Sequence, residues 1–388
     1  MKTRFTITLI TLLALGASLP AADEPVPNKP ENFSFRNEIK IAIDKGLAWL
    51  QANQKADGSW SGPDHPALTC LPLLAFHREP TGLYATKKPG FLQKGYGFIR
   101  SHIQPDGGIY NKGLSNYNTS LGLMALLTSG DPKDEPSILK AREFVVAQQA
   151  KGMAKPELDG GIGYGPTGVS PKRMHPDLDN TLVALEALRN FRAARPAVEI
   201  PAGKDLDWDA AIGFLSRCQN LTASNQEPWA SDDPANKGGF IYYPGYSNAG
   251  EQPLESGGKA LRSYGSMSYG GLLSFIYADL KKDDPRVAAA LDWLRKNYTL
   301  EENPGMGRQG LYYYYHLATK GLAAANIAML ESAGGGKIDW AREIGLKLLN
   351  LQNNDGSWVN DTGRWMEKDP VLVTCYAVLS LEIIYHRL

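Results

Sequence analysis

Two kinds of hydrophobic pattern alternate six times along the chain. In the first, charged residues share the run with a single apolar stripe, as in AIDKGLAWLQANQ ahead of Asp57, and a Gly-rich turn follows. In the second, a polar cluster opens a run that is apolar nearly all round, as in TCLPLLAF from Thr69. A one-stripe helix buries one face and leaves the other wet, whereas an all-round apolar helix must be covered on every side. The pattern therefore predicts outer helices near 37–54, 91–103, 136–149, 207–219, 285–298 and 339–352, and inner helices near 66–78, 116–128, 177–193, 265–280, 314–331 and 370–386. Strict alternation of outer and inner helices predicts an all-α chain closed as a single (α/α)6 toroid. The inner helices would run parallel, with their N-terminal ends at one mouth.

The turn after the first outer helix, QKADGSW at Gln54–Trp60, returns as QNNDGSW at Gln352–Trp358. Gly in these turns can take the positive φ that ends a helix. The Trp folds back as an apolar plug, and the Gln either bonds freed backbone or lies on the indole. Elsewhere the motif degrades to Asp106-Gly107-Gly108, Asp159-Gly160-Gly161, Gly238-Gly239-Phe240 and Gly305 to Gly310. Aligned inner runs put Thr69, Thr119, Thr181, Thr319 and Thr374 in one register, with Tyr269 in the sixth. Hairpins three to five carry long insertions, where function tends to sit.

The repeated Gln-x-x-Asp-Gly-Ser-Trp with its alternating helices resembles the prenyltransferase and squalene oxidase repeat of the terpenoid cyclase and protein prenyltransferase superfamily, over roughly residues 37–388. The resemblance implies the toroid and a cavity at the inner-helix mouth. It bears less on chemistry, because one fold hosts many functions. Asp177-Leu178-Asp179-Asn180-Thr181 is similar to the D-x-D-D-T stretch of class II terpene cyclases, with Asn in place of the last Asp. By that resemblance Asp179 would be the general acid on an apolar isoprenoid, Asp177 and Asn180 its hydrogen-bonding partners, and His175 an orienting group. Such an acid needs a carboxyl kept protonated in an apolar cavity. The plain alternative is helix capping, since Asn118-Thr119 repeats half the motif and Asp and Asn lead N-cap preferences.

Tyr242, Tyr243, Tyr246, Tyr312, Tyr313, Tyr315 and His316 form two aromatic groups expected near the same mouth, where they would bind an apolar chain or a glycan. Two further readings follow: a non-catalytic module binding a lipid, glycan or protein, and an (α/α)6 carbohydrate-active enzyme. The latter needs a second carboxylate across from Asp179, for which the candidates lie on loops, such as Glu251 and Glu255.

Composition narrows the partners. With 41 basic and 41 acidic residues there is no electrostatic case for nucleic acid. The Asp-x-Cys of zinc prenyltransferases is missing, Ala249 stands where a thioester Cys would be, and no cofactor or metal is expected. Residues 1–22 read as a secretory signal peptide, with Lys2 and Arg4, an apolar core from Phe5 to Leu15 and Ala21-Ala22 before Asp23. Residues 23–34 read as a flexible leader, and 35–388 as the toroid. No later apolar run reaches the roughly 18 residues of a spanning helix, so the chain is expected to be exported to the periplasm or beyond. Cys70 and Cys375 are expected buried and unbonded on neighbouring inner helices. Oligomeric state leaves no mark in the sequence.

Overall fold

The computed structural model describes residues 32–388 except 166, 168, 169, 171, 172, 255–257 and 333. The proposed signal peptide, nearly all of the leader, and Glu255 lie outside the described residues. The outer helices are α1 (Phe33–Ala52), α4 (Gly90–Arg100), α6 (Glu135–Ala147), α8 (Trp208–Arg217), α10 (Pro285–Lys296) and α12 (Trp340–Leu351). The inner helices are α2 (Ala67–Arg78), α5 (Ser115–Leu127), α7 (Leu178–Ala194), α9 (Gly265–Tyr277), α11 (Leu311–Ala324) and α13 (Pro370–Arg387). A short α3 (Leu83–Thr86), three single-turn 3-10 helices and two small antiparallel hairpins, β1–β2 (Glu251–Pro253 with Lys259–Leu261) and β3–β4 (Leu330–Glu331 with Lys337–Ile338), complete the described elements.

Pattern and packing agree. In α1 a single stripe is buried (Phe35, Ile39, Ala42, Ile43, Gly46, Leu47, Leu50), while α13 is buried without a break from Val371 to Glu382. The inner helices pack in chain order, and α13 returns against α2 to close the ring. Outer helices lean on the inner pairs from outside. Among the described residues no helix is long and apolar enough to cross a membrane.

The turn motif is a clip with two jaws. The Gln54 amide donates to Gly58 O in its own turn at 2.9 Å and to Phe91 O on the next outer helix at 2.8 Å. Gln149 and Gln219 repeat this, reaching Asp207 O and Arg286 O at 2.8 Å each. Gln352 reaches Ala42 O of α1 at 2.9 Å, so the last clip fastens the ring to its beginning. The Trp60 and Trp358 indoles are fully buried and donate to Leu50 O and Leu348 O. Gly58 (φ 88) is obligatory, since a Cβ there would lie 2.4 Å from Lys94 O.

The Thr register holds in four hairpins. Thr69, Thr119, Thr181 and Thr374 each accept the N–H of the turn residue ahead of their helix, from Trp60, Ile109, Ile162 and Trp358. In the fourth hairpin that acceptor is Ser268 rather than its neighbour Tyr269. In the fifth, Thr319 bonds Tyr315 O instead, and the hydroxyls of Tyr314 and Tyr315 reach back to Thr299 O and Leu300 O. That helix begins three residues ahead of the expected 314 and ends at Ala324, not 331. Its first-turn N–H groups of Tyr312 and Tyr313 are received by the buried Glu367 carboxylate, which lets it start directly after Gly310. Asn326 (φ 50) turns the chain away, and the apolar residues beyond enter β3. At the other end α1 starts at Phe33, two residues inside the expected leader. Cys70, Cys218 and Cys375 are buried free thiols.

Candidate functional site

Asp177 starts α7 with extended backbone and caps it. Its carboxylate accepts the Asn180 backbone N–H and the Asn180 side-chain amide, both at 2.8 Å. It has no exposed surface, and burial pushes its pKa up to about 8. The nearby Asp179 charge adds to the rise, while the Asn180 bonds and the Tyr242 hydroxyl oppose it. A helix N-terminus alone would favour the carboxylate, so here exclusion of water wins.

Asp179 lies in the first turn of α7. Its carboxyl accepts the Tyr313 hydroxyl of α11, a helix two places round the ring, so the bond spans the lumen. Burial raises the Asp179 pKa and the Tyr313 bond pulls it back. Tyr313 packs on Tyr376 of α13 with ring centroids 5.4 Å apart, and Tyr117 of α5 adjoins Tyr376. These three tyrosines roof a narrow central cavity of about 40 Å³. Its waist is apolar, with Leu71, Leu74, Leu121, Leu182, Leu317 and Leu379. Its floor is polar, with Arg78, Glu186, His316 and Lys320. Asp179 stands behind the roof, joined to the cavity through the Tyr313 hydroxyl.

Several expectations for the site need correcting. Asn180 partners Asp177, not Asp179, because its side chain folds back over the cap; its Oδ1 is buried without a hydrogen bond among the described residues. Asp177 makes no hydrogen bond to Asp179 among the described residues and only feels its charge. The His175 ring packs on Tyr243 at 4.1 Å, with Nδ1 3.1 Å from Pro176 O, and does not orient Asp179. Tyr243 and Tyr246 stack on each other at 4.9 Å on the rim, Tyr246 being 43% exposed, outside the cavity. Tyr242 stands next to Asp177, its hydroxyl 2.8 Å from that of Tyr164. Tyr313 and His316 line the lumen, whereas Tyr312 and Tyr315 meet edge to face on a different face of α11. Helical spacing accounts for this: residues 313, 316, 317 and 320 share one face.

Tyr117, Tyr376, Glu186, Lys320 and Arg78 escaped the sequence reading. Glu186 and Lys320 had left a signal, each being a lone charge inside an otherwise apolar run. Lys320 Nζ lies 2.5 Å from Glu186 Oε2, with both side chains 10% exposed. Of the expected second carboxylates, Glu251 is an exposed hairpin residue paired to Lys259 at 2.8 Å.

These features define the class, an α/α toroid with a tyrosine-roofed lumen and an acid behind the roof. No family model matches the chain. Squalene–hopene cyclase of Alicyclobacillus acidocaldarius is 28% identical over 167 residues, 41% of this chain and 24% of the cyclase. The match thus spans about a quarter of that relative's length. Among solved structures, the type II terpene cyclase MstE from Scytonema, bound to geranylgeranyl dihydroxybenzoate, superposes with a TM-score of 0.54 at 14% identity over 92% of this chain and 99% of that one. A GH76 α-mannanase from Bacteroides thetaiotaomicron gives 0.52 at 12% identity over 88% and 95%. An inactive α-1,6-mannanase variant from Salegentibacter, bound to α-1,6-mannotriose, gives 0.52 at 9% over 89% and 99%. The solved structures share the α/α toroid fold with this chain, and over 167 residues its sequence is similar to a squalene–hopene cyclase.

Proposed function

We propose that the lumen takes an apolar, isoprenoid-type chain, and that Asp179 supplies a proton to the end of the chain lying under the tyrosine roof. The observation that carries this reading is the Asp179 carboxyl, driven towards its protonated form by burial and linked to the cavity by the Tyr313 hydroxyl. A protonated carboxyl in an apolar chamber is the condition for general-acid attack on an alkene. Tyrosine faces around it would stabilise the cation that forms. The terpene cyclases among the similar proteins support the same substrate class. Export through residues 1–22 is part of the proposal and would bring the cavity to lipids of the cell envelope.

Glycoside hydrolysis fits less well. It needs two carboxyl groups facing one bond across the cavity. Asp177 is instead sealed into a helix cap, and Glu186 is neutralised by Lys320 on the far floor. A second reading, a binding module without catalysis, is favoured by one observation: Tyr313 stands between Asp179 and the cavity.

Purified protein and an Asp179→Asn variant, incubated with squalene and with polyprenyl substrates and analysed by gas chromatography and mass spectrometry, separate these readings. A cyclised product from the native protein, reduced at least a hundredfold in the variant, is the expected result. Equal binding of the chain by both proteins with product from neither would establish the binding module.

A further inference from the structure

We infer that the floor of the lumen is an anion-recognition subsite, so that the ligand is a prenyl chain whose carboxylate or phosphate head sits at Arg78. The inference rests on the ligand-cavity reading above and names the head of that same ligand.

Arg78 is the last residue of α2, and its side chain lines the cavity. Elsewhere in the protein, Arg100, Arg142, Arg195 and Arg286 each hold a carboxylate. Among the described residues Arg78 has neither an ion pair nor a hydrogen bond. Its half-exposed guanidinium is thus free to take an anion, and its planar fork of donors suits one with two oxygens.

The other floor groups do not cancel that charge. Lys320 and Glu186 neutralise each other. Burial holds His316 well below its usual pKa, hence neutral. Glu382 of α13 is near enough to feel Arg78 but makes no hydrogen bond among the described residues, and burial drives its carboxyl towards the neutral form. Arg78 is therefore the floor cation that no carboxylate holds among the described residues.

Geometry supplies the rest of the ligand. Tyr313 at the roof and Lys320 at the floor are both on α11, seven residues apart, a rise of roughly 10 Å. Between them the wall is leucine. An apolar segment bounded by a cation at one end and a tyrosine-held acid at the other suits a short amphipathic chain with its head down and its alkene up.

The test is calorimetric titration of the protein with farnesyl monophosphate, farnesoic acid, farnesol and inorganic phosphate, repeated with an Arg78→Gln variant. At least one prenyl anion is expected to bind tenfold or more tighter than farnesol. Whichever anion does so identifies the head. The variant should lose that advantage while binding farnesol as before, which also shows that its cavity is intact. Equal affinities for farnesol and both anions, or an advantage that survives in the variant, would overturn the subsite and leave the ligand cavity standing. Inorganic phosphate binding as tightly as farnesyl monophosphate would overturn the amphipathic ligand. Binding of none of the prenyl compounds would sink the cavity reading and this inference together.

Discussion

The Gln–turn–Trp clips and the first turn of α7 are made of the same materials, short polar side chains set against freed helix-end backbone, and they finish in opposite states. In the clip of the sixth hairpin, Gln352 holds two carbonyls, Asp355 holds the N–H and hydroxyl of Ser357, and the Trp358 indole finds Leu348 O. At α7 the cap is also made, yet it leaves Asn180 Oδ1 without a hydrogen bond among the described residues and two carboxyls pushed up by burial. Buried polar groups are normally satisfied. Gln219 of the fourth clip also keeps a buried Oε1 without a hydrogen bond among the described residues, so what sets the start of α7 apart is its pair of carboxyls pushed up by burial, which a ligand or a proton can use.

The sharpest way to break this comparison is to remove a clip. Trp358→Ala should cost about 3–5 kcal/mol in denaturant unfolding, because it empties a fully buried indole site. Asp179→Asn should cost far less by the same measurement. If the two cost the same, the division between scaffold and site fails. A smaller effect is expected from Gln352→Ala, which frees Gly356 O and Ala42 O and should cost about 1–3 kcal/mol. That loss should appear as weaker protection of α1 and α12 amides in hydrogen exchange.

A pH-dependent effect sharpens the comparison from the other side. Asp177 has a folded-state pKa near 8, above its unfolded value. Between those values the native state holds a proton that the unfolded chain has lost. The contribution is therefore full below about pH 4 and is lost as pH rises through 8, by at most about 1.4 kcal/mol per pH unit. Unfolding free energies measured from pH 5 to pH 8 should fall more steeply in the native protein than in Asp177→Asn. Identical slopes would mean that Asp177 is charged in the fold.

The fold was legible because burial writes itself into periodicity: one stripe for α1 and its outer counterparts, apolar residues all round for α13. The clips were legible in part, since Gln54 had two readings and only packing revealed that it bonds the next outer helix. The acid pair was legible as Asp-Leu-Asp. Its partner was not, because Tyr313 meets Asp179 across the lumen from a helix 134 residues away. Finding that pair requires knowing which face of α11 points inward. The misread start of that helix came from Glu367, a cap supplied from another hairpin, which no local pattern announces. Tyr117 and Tyr376 were hidden for the same reason, being single tyrosines on inner helices that meet only when the ring closes.

The Gln352 bond to Ala42 has a topological consequence. Asn32 Nδ2 lies 3.3 Å from Leu388 O, so the first and last described residues adjoin each other. The wheel therefore has no privileged first spoke. Reopening the backbone at the exposed loop 201–204 and splicing residue 388 to residue 32 would permute the order of the hairpins while leaving every neighbouring pair in contact. Chain order is a convention of this molecule, and adjacency is what its architecture conserves.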